Sequence, residues 1–234
     1  MGNLKLALFL ALKSIIKGNR WALLMIIMVM SLSFANLLLT PSILAGVTET
    51  IDQQQVDTLF ANIIIDPPPG SYYLDDAGRV EKKIARIPGV SGVAAHLDNR
   101  AFIEYKWLEK DSPSDKGDGG TWSVTGIDPV RETAITTIHK YVIQGSYLEA
   151  NDRDSIILGV EIAGGTRAES SELLTLDGVQ VGEKVRLTYP NGIQREYTVK
   201  GIFKAQEITR ADRTAFVTRQ EMASVLGRTV FTDR

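Results

Sequence analysis

Apolar and polar positions divide this chain near residue 48. Residues 21–48, WALLMIIMVMSLSFANLLLTPSILAGVT, form a run of 28 positions without a charged side chain. At about 1.5 Å per residue, about 20 apolar residues in a helix cross a hydrocarbon core roughly 30 Å thick. Residues 21–39 reach that length, and Thr40-Pro41-Ser42 suits the far interface. The pattern therefore predicts a membrane-spanning helix over 21–45. Upstream, Lys5, Lys13, Lys17 and Arg20 fall within an arc of about 120° when placed on a helix. Leu4, Leu8, Ala11, Leu12, Ile15 and Ile16 fill much of the remaining surface. This predicts a basic amphipathic helix at the cytoplasmic face, within 1–20, its lysines near anionic headgroups. Gly18-Asn19 breaks it before the apolar run.

Beyond the run the periodicity shortens. GVTETIDQQQVDTLF, residues 46–60, suits a helix continuing outward. Residues 62–66 read as a buried strand, stopped by Pro67-Pro68-Pro69, which cannot donate ladder hydrogen bonds. A helix to about residue 86 follows, capped by Asp75 or Asp76 and apolar at Val80, Ile84 and Ile87. Strands are predicted at 90–95, 101–107, 122–127, 156–158 and 215–217. Residues 185–189 and 195–202 read as a hairpin turning at Pro190-Asn191-Gly192. Residues 161–172 read as helical, weakened by Gly164-Gly165, and 219–226 as a short closing helix. Short strands with scattered helices and no regular βαβ alternation indicate an α+β domain.

Charge sets the orientation. Four of the 26 Lys and Arg residues, and none of the 28 Asp and Glu, lie within the first 20 positions. The positive-inside tendency keeps the N-terminus cytoplasmic and places the bulk outside the membrane. A cleaved signal peptide shares the basic start, and Ala45-Gly46 resembles a cleavage site. Its apolar region spans about 7–15 residues, however, and this run is longer, so an uncleaved anchor is expected.

Composition narrows the chemistry. The chain has no cysteine, which rules out disulfide staples and a lipidated N-terminal cysteine. His96 and His139 stand apart in aliphatic surroundings and read as structural. The sequence holds no HExxH, CxxC or GxxxxGK[ST] motif. A net charge of −2, widely dispersed, does not suggest nucleic-acid binding. Asp111, Asp115 and Asp118 sit in a polar loop over 109–120, but their spacing misses the calcium-loop pattern. A non-catalytic chain is expected, with no catalytic, cofactor or metal residue. Within the membrane, Ser31, Ser33 and Asn36 have two open choices, a partner helix or the carbonyls of their own helix. Pro41 predicts a kink.

Small motifs after the anchor occur in a recognisable order. Ile87-Pro88-Gly89-Val90 resembles the segment after the first external helix in permeases of the MacB/LolC/LolE (FtsX-like) type. Val124-Thr125-Gly126-Ile127-Asp128, Gly145 after Val142, and Ile157-Leu158-Gly159 are similar to successive elements of the same domain. Ile162-Ala163, Val181-Gly182-Glu183-Lys184-Val185, Tyr197-Thr198-Val199-Lys200-Gly201-Ile202 and Ala215-Phe216-Val217 continue the series. Each fragment alone is fold punctuation. Their order behind an anchor carries the resemblance, which extends to about Leu226.

The resemblance implies a MacB-like extracytoplasmic core domain over 46–234, with a porter-like subdomain and a smaller one inserted at about 122–203. It implies a permease subunit of an ABC transporter in the inner (cytoplasmic) membrane, coupled mechanically to export or release of substrate. The implied partners are an ABC-type ATPase subunit that hydrolyses ATP, a second permease copy or paralogue, and a periplasmic adaptor or carrier protein. Such permeases have three further membrane helices after the external domain. The chain stops at Arg234 without a second apolar stretch, so a fragment, a truncated product or a split permease is expected. The alternative is a single-pass, membrane-anchored extracytoplasmic adaptor or sensor.

Overall fold

One strand organises the sheet, and it is identified most easily from its alternating residues. In a computed structural model of the protein, described for residues 2–55, 63–71, 73–74, 76–109, 118–165, 174–205 and 211–227, Tyr197 and Val199 are fully buried between part-exposed neighbours. They belong to β6 (Gln194–Phe203), the longest strand together with β2 (Asp118–Ile127). The other strands are β1 (Leu97–Tyr105), β3 (Val142–Gly145), β4 (Ser155–Gly159), β5 (Lys184–Thr188) and β7 (Thr214–Thr218). All seven form one sheet in the order β3-β6-β4-β7-β2-β1-β5. The first half of β6 pairs antiparallel with β5, Lys184 opposite Thr198, and the second half pairs parallel with β4, Ser155 also opposite Thr198. Through that double pairing the sheet closes on itself, leaving β3 outside the ring.

The two faces of the sheet hold two cores. Ile156, Leu158, Val124, Val199, Ala215 and Val217 belong to the larger cluster, with Trp122 and Tyr197. Ile157, Phe203 and Phe216 turn the other way and pack with Ile127, Ile138 and Leu148. The aliphatic run Ile156-Ile157-Leu158 is thus explained by burial on both faces of a strand with neighbours on either side. Across the β5–β6 hairpin the Tyr189 and Tyr197 hydroxyls lie 3.0 Å apart, and Tyr197 donates to Glu221 Oε1 at 3.3 Å. Burial pushes the Tyr189 phenol up to about 12.

The helices are α1 (Gly2–Lys17), α2 (Arg20–Gln55), α3 (Ala77–Ile84), α4 (Pro129–Glu132), α5 (Val160–Ala163) and α6 (Arg219–Val225). The chain divides into two compact units, 1–51 and 52–234. In the first, α1 ends before Gly18-Asn19, as the sequence predicts, and α2 begins at once. Asn19 Oδ1 accepts from the Trp21 amide at 3.1 Å, so the breaking residue also caps the next helix. Helix α2 runs through Pro41 and on to Gln55, and residues 56–60 of the predicted extension lie outside the described residues.

Several sequence expectations are corrected. Ile63, Ile64 and Ile65 form no strand and are 81%, 54% and 49% exposed, because no neighbouring strand pairs with them among the described residues. Asn62 lies outside those residues. Residues 90–95 also remain unpaired, and Gly92 packs against Ile135 instead. The strand predicted at 101–107 ends at Tyr105, where Lys106 turns to a φ of 53°. Asp76 precedes α3 in the left-handed conformation and makes no cap bond, pairing with Arg79 at 2.9 Å. Asp75 lies outside the described residues. The helix predicted at 161–172 is the single turn α5, ended by Gly164, and 166–173 are outside the described residues.

Two of the motif glycines are required by close approach. Gly126 in β2 faces α6, where a Cβ would lie 2.6 Å from the Met222 Cβ. Gly145 ends β3 at φ 75° directly opposite Gly201 of β6, and a Cβ there would overlap the Lys200 carbonyl. A Gly126→Ala substitution therefore overpacks the β2–α6 contact. It is expected to destabilise the folded chain by about 1–3 kcal/mol, seen as a lower denaturant midpoint at unchanged slope. An unchanged midpoint would show that α6 yields freely.

Candidate functional site

Two regions concentrate chemistry, and each lies within one unit. The first is the anchor. Residues Arg20–Gly46 form a stretch of 27 residues long and apolar enough to cross a membrane, none of it buried within the chain. Its polar side chains mostly turn back on the helix. Ser42 Oγ donates to the Leu38 carbonyl at 2.8 Å, and just beyond the stretch Thr48 Oγ1 donates to that of Leu44 at 2.9 Å. Thr40 Oγ1 donates to Asn36 Oδ1 at 2.9 Å.

The second region is a cleft of about 300 Å³ beside α3, lined mostly by small apolar residues with Glu81, Lys82 and Arg131 among them. Gly78 and Ala85 of α3 and its C-terminal cap form one wall, Gly92 and Val93 another, and Ala134 after α4 a third. No side chain of α3 is fully buried; Val80 and Ile84 on its apolar face are half-buried. Glu81 adds an ionic attachment. Its Oε2 accepts from Arg131 Nη1 at 3.0 Å, and its Oε1 lies 3.6 Å from Arg219 Nη1. Glu81 therefore links α3 to α4 and to α6 at once. The aspartate–proline start of α4 prepares this geometry. Asp128 Oδ1 accepts from the amides of Val130 and Arg131 at 3.1 and 3.3 Å, with Pro129 in the first turn. Asp128 Oδ2 also lies 3.6 Å from Arg131 Nε.

Behind the cleft, Glu132 is 2% exposed and bonds two partners. It accepts from Thr136 Oγ1 at 2.9 Å and sits 2.7 Å from His96 Nε2. Burial works against charge on the His96 ring. The hydrogen bond to Glu132 and the charges of Glu132 and Asp98 outweigh it, so the imidazole pKa is raised. The pair is chemically a proton-binding site that holds the chain before β1 against α4. Nearby in this layer, His139 meets the Tyr147 ring edge-on at 6.1 Å, and burial raises the Tyr147 phenol pKa.

The sequence singled out no catalytic residue, and the groups it weighed fall in different places. His96 joins the buried pair, while His139 packs against Tyr147. Asp118 opens β2, whereas Asp111 and Asp115 lie outside the described residues. Asn36 pairs with Thr40 of its own helix. Among the described residues, no three His, Asp or Glu side chains cluster to hold a metal ion. Sequence reasoning missed the Glu81–Arg131–Arg219 links and the His96–Glu132 pair. Only Asp128-Pro129, an N-cap followed by a first-turn proline, signals part of it locally.

No protein-family model matches the chain, and no curated protein matches it. Among solved structures, the crystal structure of the periplasmic region of MacB from Actinobacillus actinomycetemcomitans aligns at a TM-score of 0.38 and 9% identity. That alignment covers 65% of this chain and 57% of that one, so the chain spans little more than half of that structure's length. The described molecule is a mixed α/β sheet domain preceded by one apolar helix of membrane-spanning length.

Two measurements test the cleft. Because the His96 pKa is raised on folding, its contribution to stability is full below about 6.5, the ordinary imidazole value. It is lost as pH rises through the folded value. Wild type should lose stability from pH ~6 to pH ~8.5 relative to His96→Gln, and parallel pH profiles for the two proteins would contradict this. Separately, Glu81→Ala should raise amide exchange across α3 by roughly tenfold or more, since a hydrogen bond to a charged group contributes about 1.5–3 kcal/mol. The strands of the closed sheet should keep their protection. Exchange that rises equally in α3 and in β4 would show that the cleft supports the whole domain.

Proposed function

We propose that this chain is a permease subunit of an ABC transporter of the MacB/LolC/LolE type, anchored in the cytoplasmic membrane with its sheet domain outside. The observation that carries the reading is the ordered motif series behind a basic-flanked apolar helix. The fold gives those motifs physical work. Gly126 admits α6, Asp128 caps α4, and Gly145 meets Gly201 where β3 joins β6. The porter-like and inserted subdomains belong to this proposal as the family's division of the domain, the latter at about 122–203.

One helix encloses no path across a bilayer, so conduction through α2 alone is not proposed. A helix longer than the membrane transmits displacement, and α2 has 36 residues, about 54 Å at 1.5 Å each. In the proposed mechanism a separate cytoplasmic ATPase subunit binds and hydrolyses ATP. Movement at the cytoplasmic face, where α1 lies on the headgroups, then passes along α2 to the external domain. The domain in turn pushes or releases substrate outside the membrane, with a second permease copy or paralogue opposite and a periplasmic adaptor or carrier protein receiving the substrate. The second reading is a single-pass adaptor or sensor, which requires one membrane-length helix such as Arg20–Gly46.

Affinity purification from its native membranes in mild detergent separates the two. The permease reading expects a nucleotide-binding subunit to co-purify in stoichiometric amount with the intact chain. An intact, folded chain recovered repeatedly without any such subunit contradicts the permease reading and favours the adaptor.

A further inference from the structure

We propose that His96 and Glu132 form a pH-operated latch on the cleft, closed while the imidazole is protonated and released when it loses that proton, with the closed sheet left intact. The latch lies wholly within the unit 52–234 and does not depend on the permease reading.

The pair is asymmetric. The His96 side chain is 27% exposed and the Glu132 side chain 2%, so the ring exchanges protons with solvent while its Nε2 faces a buried carboxylate at 2.7 Å. Among the described residues Glu132 bonds His96 and the Thr136 hydroxyl, and of these partners only His96 can carry charge. Around the ring, Glu132 of α4 and Asp98 of β1 favour its proton, whereas burial and Arg219 of α6 oppose it. Arg219 stands 3.6 Å from Glu81, and Asp98 accepts from Thr125 Oγ1 at 2.7 Å, so both are engaged elsewhere. The Tyr147 phenol, which follows β3 and senses the Glu132 charge, stays neutral because burial raises its pKa.

Loss of the His96 proton turns a charge-assisted hydrogen bond into an ordinary one, roughly half as strong. The Glu132 charge is then buried without a paired cation, a costly state that hydration relieves. Water reaches it if the chain before β1 moves. Residues 91–95 pair with no strand among the described residues. Gly92, where a Cβ would lie 3.0 Å from Ile135 Cγ1, and His96 tie them to α4 and the turn after it. Gly92 and Val93 are also a wall of the cleft. Releasing His96 therefore opens the cleft along that wall. It costs the sheet no ladder pairing, since β1 pairs with β2 only from Leu97 onward.

The test uses the full chain in lipid nanodiscs. Its two histidines give two ring signals by NMR once the imidazoles are isotope-labelled, and His96→Gln or His139→Gln assigns them. The His96 signal should titrate with a midpoint above the ordinary 6.5. In parallel, Val93→Cys in the cleft wall and Lys184→Cys on β5, as an exposed reference, are alkylated in separate samples from about pH 6 to about pH 8.5. Taking the ratio of the two rates removes the rise in thiolate that both share. That ratio should increase about three- to tenfold, as expected for losing half of a charged hydrogen bond. Its midpoint should match that of the His96 signal, and in a His96→Gln background the ratio should stay flat. A flat ratio while His96 titrates, a rise centred away from the His96 midpoint, or an equal rise in His96→Gln overturns the latch. So does a rise accompanied by lost amide protection in β2 and β4, which is unfolding of the domain. If His96→Gln does not fold, the match or mismatch of the two midpoints in the His96-containing chain still decides.

Discussion

The domain depends on β6 having partners along both edges. Its Thr198 is opposite Lys184 of β5 and also opposite Ser155 of β4, the point at which the sheet closes. Closure removes the open edge of β5, and the sheet buries side chains on both faces. Glycines also appear where β3, outside the ring, brings its backbone against β6, as at Gly145 and Gly201. The motif series that supports the family reading is largely a record of these close approaches.

Against that apolar ring, α3 is attached differently. It buries no side chain completely and is also tied by Glu81 to arginines on two other helices, while His96 and Glu132 secure the segment leading into β1. Ionic contacts of this kind are directional and sensitive to pH and salt, where the ring's packing is neither. Within one unit, therefore, a closed sheet with apolar cores carries an outer helix whose contacts include ion pairs.

The strong periodicities were legible in the sequence because they depend on neighbours close in the chain. The charge-free run, the break at Gly18-Asn19, the hairpin around Pro190-Asn191-Gly192 and the doubly buried Ile156-Ile157-Leu158 all appear where the pattern puts them. The failures share one cause. Ile63-Ile64-Ile65 has strand composition but no strand beside it among the described residues, and Gly92 within the unpaired 90–95 segment packs on Ile135. Strand β3, only four residues long, exists because β6 offers it an edge. The cleft was equally hidden, since Glu81 meets Arg131 and Arg219 only after α3, α4 and α6 are folded together.

In the proposed topology the chain is anchored in the membrane and its sheet domain lies outside the cytoplasm. The most direct measurement is labelling of intact cells with a membrane-impermeant maleimide, using single cysteines in an otherwise cysteine-free chain. Lys184→Cys on β5, whose side chain is 63% exposed, should label from outside, and Lys13→Cys on α1 should label only after lysis. Labelling of Lys13→Cys from outside, with Lys184→Cys protected until lysis, would contradict the account.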